Sequence, residues 1–136
     1  MYLVDSNIWL ELLLEQEKQE EVREFLNRLD GNELSITEFS LYSIGLILTQ
    51  LKKQNLFEDF LTDTIMSAGV HCVRLTLDEL KELLLMTKQH LLDFDDAYQY
   101  TVAEKYDLHI VSFDTDFDRT PRGRMTPQQV LKTITP

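Results

Sequence analysis

The chain has 136 residues, 43% of them apolar and 10% aromatic, with one cysteine and a formal net charge of −11, the make-up of one globular domain able to bury a core. The lone cysteine excludes a disulfide framework and a cysteine zinc site. No apolar run is long enough to cross a bilayer, and Met1 leads into a strand-like run without the basic start or cleavage site of a secretory signal, so a cytoplasmic protein with no membrane partner is expected.

Tyr2-Leu3-Val4 reads as a first strand, apolar throughout and therefore buried on both faces. Asp5-Ser6-Asn7 is a turn or cap, and Ile8 to Glu15 carries Ile8, Trp9, Leu12 and Leu13 at helical spacing. A second, strongly charged helix runs from Glu17 to Leu29 with Val22, Phe25, Leu26 and Leu29 on one face, and Asp30-Gly31-Asn32 ends it. Leu34 to Ile36 is a short second strand. Ser35-Ile36-Thr37-Glu38 has the spacing of a capping box, which starts a helix near Glu38 that runs towards Lys53. Leu56 to Ser67 is a further helix, stopped by Gly69.

Val70 to Leu75 reads as a third strand with Cys72 as a buried thiol. Thr76 and Glu79 form another capping box and open a helix to about His90; the next helix begins within Asp93–Asp96 and runs to Tyr106. His109 to Ser112 is a fourth strand, 113–124 is loop, and Thr126-Pro127-Gln128-Gln129 starts a last helix. There is no repeat, linker or low-complexity stretch. Strands alternating with helices predict one α/β domain with a mainly parallel sheet.

Acids cluster where the strands stop: Asp5 after the first, Glu38 after the second, Asp95 and Asp96 at the start of the helix before the fourth, and Asp114 with Asp116 after it. Each has a local explanation. Asp5, Asp114 and Asp116 suit turns, while Glu38, Asp95 and Asp96 suit a first helical turn. Together they say more, because the carboxyl ends of parallel strands share one crevice. Two carboxylates ~4 Å apart repel by about 4 kcal/mol at an effective dielectric of 20. A hard cation, Mg²⁺ or Mn²⁺, is the natural compensation, and it would equip the pocket for hydrolysis of a phosphoryl group. His71, His90 and His109 are scattered without ligand spacing, which argues against zinc.

The overall acidity would repel a polyanion, so a nucleic acid needs a local basic patch as well as the metal. Arg119, Arg122 and Arg124 follow the last acids in a polar loop. They are either a backbone-phosphate contact beside the pocket or ordinary surface arginines.

At this point the residues resemble the PIN-domain family along the whole chain. Met1-Tyr2-Leu3-Val4-Asp5-Ser6-Asn7-Ile8-Trp9 resembles the family's opening hydrophobic-Asp-[Ser/Thr]-Asn signature. Leu92-Asp93-Phe94-Asp95-Asp96-Ala97 is similar to its third acidic motif, and Ile110 to Phe117 to its [Thr/Ser]-x-Asp-x-Asp-Phe motif. The resemblance implies a three-layer α/β/α fold over 1–136 and Mg²⁺- or Mn²⁺-dependent cleavage of single-stranded RNA. It carries the metal-binding and catalytic acids over to Asp5, Glu38, Asp96 and Asp114, with Asp116 as an accessory ligand. Ser112, Asn7 and Asp95 follow as supporting residues. Small members of this size are VapC-like toxin ribonucleases of type II toxin–antitoxin modules, commonly homodimers inhibited by a small antitoxin. Glu38 departs from the pattern: it directly follows Thr37, whereas many members place this acid deeper in the helix.

Two other classes stay open. A phosphotransfer or phosphatase protein with an aspartyl nucleophile would want Asp-x-Asp after the first strand, or an acid at the third strand end and a lysine at a later one; Asp5-Ser6-Asn7 and Val70–Leu75 lack them. A PIN-like binding module without useful activity would fit the acidic balance and the position of Glu38.

Overall fold

The computed structural model describes residues 1–134. In chain order the elements are β1 (Tyr2–Val4), α1 (Ser6–Leu13), α2 (Gln19–Arg28), β2 (Leu34–Thr37), α3 (Glu38–Gln50), α4 (Gln54–Asp59) continuing as a π-helix (Phe60–Ser67), β3 (His71–Val73), α5 (Leu77–Gln89), α6 (Phe94–Tyr106), β4 (His109–Val111), a 3₁₀ turn (Thr115–Arg119) and α7 (Pro127–Ile134).

The four strands form one parallel sheet in the order β3-β2-β1-β4. Leu3 lies opposite both Ser35 and Ile110, and Ile36 opposite Cys72. The chain builds outwards from β1 to β3, then returns to add β4 on the other side of β1. The strand order therefore reverses at β1, and the crevice beyond its carboxyl end is where an open α/β sheet receives ligands. Asp5 is the first residue past that end.

Alternate strand residues feed two cores, which makes three layers. Val4, Leu34, Ile36 and Val111 pack with Trp9, Val22, Phe25, Ile44, Leu48 and Val130 from α1, α2, α3 and α7. Leu3 and Ile110 pack on the opposite face with Leu83 of α5 and Ala97, Tyr100 and Val102 of α6. Trp9 closes against Phe60, ring centroids 5.4 Å apart. This is the α/β/α arrangement expected from the alternating pattern.

Capping chemistry sets most helix starts. Asp5 accepts from the Ser6 backbone N–H at 2.8 Å and opens α1. The Thr76–Glu79 box closes in both directions, and so does the pair formed by Thr126 and Gln129. The box expected at Ser35 does not form. Ser35 sits inside β2, paired with Leu3 and His71, and the cap is Thr37, which accepts from Ser40 N–H at 2.9 Å.

The expected helix 56–67 divides into an α and a π segment, a distinction that apolar spacing does not carry. The third strand is shorter than 70–75, because its ladder ends where Thr37 turns into α3, and Leu75 N–H turns away to the Tyr98 hydroxyl at 2.9 Å. Cys72, expected to be buried, is exposed on this edge strand.

Gly31 has a packing reason beyond ending α2. A Cβ built there runs into the Ala68 carbonyl oxygen, a backbone group that cannot swing aside. Gly31→Ala should therefore destabilise the domain by about 2 kcal/mol, read as a lower urea midpoint with an unchanged m-value.

Candidate metal centre

Asp5 is buried at the end of β1, and hydrogen-bond donors reach both of its oxygens. Oδ1 accepts from Ser6 N–H at 2.8 Å and from Gln99 Nε2 at 2.9 Å. Oδ2 accepts from the Ser112 hydroxyl at 2.7 Å and, more weakly, from Asn7 Nδ2 at 3.4 Å. Asn7 also donates to Ser112 Oγ at 3.1 Å, and its Oδ1 accepts from Phe113 N–H. The opening Asp-Ser-Asn segment thus stitches the end of β1 to the end of β4. Burial pushes the Asp5 carboxyl above the usual aspartate range, against the hydrogen bonds that favour its charged form.

Beside it stand the acids of α6 and of the loop after β4. Asp114 N–H donates to Ser112 Oγ at 2.9 Å, and Asp114 Oδ1 accepts from Asp116 N–H at 2.8 Å, which caps the 3₁₀ turn and fixes both acids in one loop. Asp96, buried in the first turn of α6, faces them. One oxygen from each of Asp96, Asp114 and Asp116 lies within 4.8 Å of the others, and the same holds for Asp93, Asp95 and Asp96.

Burial first, then the charges of Asp114, Asp95 and Asp5, raise the Asp96 pKa from an aspartate's usual 3.8 to about 8. The ligand set is all carboxylate oxygen, close enough for one ion to bridge, and one member keeps a proton for want of positive charge. Such a set fits a hard divalent cation and does not fit zinc.

Not every expected ligand joins a cation-sized group: among the described residues Asp5 belongs to neither, although its charge bears on Asp96. Glu38, the first residue of α3, accepts from the Tyr42 hydroxyl and lies near Cys72 on the β3 side; it belongs to neither cation-sized group among the described residues. The α3 residue that does reach inwards is Ser40, whose hydroxyl accepts from Gln99 Nε2 at 2.8 Å.

The arginines separate as well. Arg119 pairs with Asp116 at 3.2 Å and donates to the Leu91 carbonyl at 2.7 Å, beside the acids. Arg124 pairs with Asp118 and donates to the Ser112 carbonyl. Arg122 does not lie beside the pocket: it binds Asp107, Glu104 and the Leu108 carbonyl, at the amino end of β4.

Gln99 is the functional candidate that the motif reading missed. It is 3% exposed, and its amide joins Asp5 to Ser40 across three elements. Its signal was a glutamine one helical turn after Asp96, among Ala97, Tyr100, Val102 and Ala103 on a buried face.

The crowded acids make stability depend on pH. Asp96 holds its proton to about pH 8 in the folded protein, whereas the unfolded chain releases it near pH 4. The folded state binds more protons across that window, so this contribution falls as pH rises through it. The EDTA-treated protein should melt lower at about pH 8.5 than at about pH 6 on this account. Asp96→Asn should flatten that slope and raise the melting temperature at the higher pH by at least about 4 °C, equivalent to ~1 kcal/mol in a domain of this size.

Comparison with known proteins places the arrangement. The model of the PIN domain matches residues 2–123. Among solved structures, a toxin–antitoxin complex from Klebsiella pneumoniae superposes with a TM-score of 0.73 at 18% identity, over 93% of this chain and 98% of that one. FitAcB from Neisseria gonorrhoeae gives 0.73 at 20% identity, over 94% and 99%. VapC20 from Mycobacterium tuberculosis, a toxin that cleaves the sarcin–ricin loop, gives 0.74 at 15% identity, over 87% and 93%. No curated protein sequence matches the chain. At these identities the structural likeness speaks for the fold, and the family match covers most of the sequence. The chain belongs to the PIN-domain family.

Proposed function

We propose that this chain is one divalent-metal-dependent nuclease domain that hydrolyses phosphodiester bonds of single-stranded RNA, and that it is the toxin of a toxin–antitoxin pair. The observation that carries the reading is the trio Asp96, Asp114 and Asp116, gathered within 4.8 Å at the point where the strand order reverses. Support for the RNA substrate and the antitoxin partner comes from two of the similar structures, which are described as a toxin–antitoxin complex and as a toxin that cleaves the sarcin–ricin loop. A homodimer and a cytoplasmic location complete the proposal; no helix among the described residues is long and apolar enough to cross a membrane.

In this reading Asp96, Asp114 and Asp116 would hold Mg²⁺ or Mn²⁺. When bound, such an ion supplies Lewis-acid stabilisation of a phosphoryl oxygen and lowers the pKa of water at the site. The rest is done by the chain itself. Asp5, held by Ser112, Asn7 and Gln99, fixes the negative field on the β1 side. Ser112 orients Asp5 and Asp114 together, because its hydroxyl donates to one and accepts from the backbone N–H of the other. Asp95 accepts from Asp96 N–H and steadies the first turn of α6. Glu38 stands outside this set, held by Tyr42.

The aspartyl-nucleophile reading lacks its second acid, since Asn7 stands two residues after Asp5. The inactive-module reading is the one that the following measurements separate from ours.

Asp114→Asn should lower Mn²⁺-dependent cleavage of single-stranded RNA by about 100-fold or more while leaving the circular dichroism spectrum unchanged. Millimolar Mn²⁺ should raise the melting temperature of the parent, because it binds only the folded state, and Asp114→Asn should lose that rise. An Asp114→Asn variant that cleaves like its parent would overturn the assignment. Gln99→Leu should lower kcat by roughly 10–100-fold, the usual cost of losing a residue that orients a metal ligand's neighbour, with KM little changed.

A further inference from the structure

Two partly exposed aromatic rings stand next to acids of the site, Phe94 one residue before Asp95 and Phe113 one residue before Asp114. On α6, Phe94 precedes Asp95 and Asp96 and is about half exposed, at 49%. Its ring leans on Phe39 of α3 at 5.9 Å, and Phe39 in turn packs on Tyr98 at 5.4 Å, so the ring is held from beneath. Arg119 donates to the Leu91 carbonyl, three residues before Phe94. After β4, Phe113 precedes Asp114, is partly exposed, and has Lys18 Nζ 4.7 Å from its ring centroid. The Lys18 ammonium is in none of the ion pairs among the described residues, while its backbone N–H donates to Glu11 Oε1 at 2.6 Å.

The two rings belong to opposite layers. Phe113 packs against the core shared by α1, α2 and α7, whereas Phe39 packs against the core of α5 and α6. Phe94, resting on Phe39, and Phe113 therefore stand on different sides of the sheet, each next to an acid of the carboxylate groups.

We propose that Phe94 with Arg119, and Phe113 with Lys18, are two stacking-and-phosphate clamps that seat unpaired bases and adjoining phosphates of a single-stranded nucleic acid on either side of the carboxylates. The inference rests on the nuclease reading for its ligand class and adds the residues that select for strands without a complement. Aromatic faces combined with cations are how proteins hold single strands without reading their sequence, because every base has a face to stack and a duplex hides it. A nucleobase suits these rings better than an apolar protein surface does. Asp93 and Asp95 are exposed next to Phe94, and a protein lid would strip water from them at a cost. A stacked base leaves its edges, and those carboxylates, in water. The same clamps answer the acidic balance of the chain in part, since Lys18 places positive charge over the Phe113 ring.

The test is anisotropy of a labelled single-stranded RNA of about twelve nucleotides, with Ca²⁺ in place of Mn²⁺ so that binding is read without cleavage. Phe94→Ala should weaken binding about 10-fold and Phe94→Tyr should restore it. Lys18→Ala should reduce the salt slope by about one phosphate. Lys88→Ala, which removes an exposed charge on α5, should change neither. Duplex RNA should bind more weakly than the single strand and should not respond to Phe94→Ala. The proposal is overturned if the parent shows no measurable affinity, if Phe94→Ala and Lys18→Ala bind like the parent, or if Phe94→Ala breaks a complex between copies of the chain while leaving RNA affinity intact. Single-strand binding lost in these variants, by a parent that never cleaves with Mn²⁺, would uphold the clamps and sink the nuclease reading; cleavage with unaltered affinity would do the reverse.

Discussion

The structure depends on what holds Asp5. This one carboxylate ends β1, starts α1, and receives donors from α6 and from the residue that closes β4. The placement follows from the parallel order β3-β2-β1-β4, in which β1 lies between β2, the next strand in sequence, and β4, the last. Fold and site are therefore not separate layers of design here. The bonds that close the sheet's carboxyl edge are the same ones that aim the acids, and loosening either loosens both.

A domain pays for such a concentration of negative charge. Asp96 keeps a proton far beyond the ordinary aspartate range because burial and three neighbouring acids oppose its ionisation, and Asp5 is shifted in the same direction. Hydrophobic burial elsewhere offsets the strain: Trp9, Phe25, Ile36, Leu83 and Tyr100 are essentially sealed from solvent. That division, two dry cores carrying one electrostatically frustrated edge, is what allows a small domain to hold a site that its own side chains do not neutralise. Arg119 is the partial exception, a cation that already leans on one of the acids.

Much of this was legible in the sequence because it rests on short-range chemistry. The apolar runs marked all four strands, and Thr76 with Glu79 and Thr126 with Gln129 marked helix starts through side chains that reach only one turn. Strand ends followed by acids were enough to expect Asp5, Asp96 and Asp114 in one crevice. Helix ends were less legible: Glu15, Lys52, Leu91 and Asp107 all turn the chain at positive φ, a task for which glycine would have been the recognisable sign. Long-range choices were hidden too. Nothing local says that Ser40 reaches Gln99, or that Arg122 folds back to Asp107 and Glu104. These are outcomes of where helices land, decided by packing over tens of residues.

The last helix has a bearing on how the domain should be bounded. The family match stops at residue 123, yet α7 begins at Pro127 and buries Val130 and Leu131 in the same core as Val22 and Phe25 of α2. Met125 meanwhile exchanges backbone bonds with Ile110 and Ser112 along the free edge of β4. A boundary drawn at residue 123 would leave α2 with a wet hydrophobic face and the outermost strand unguarded, so the residues beyond the family match belong to the same folding unit.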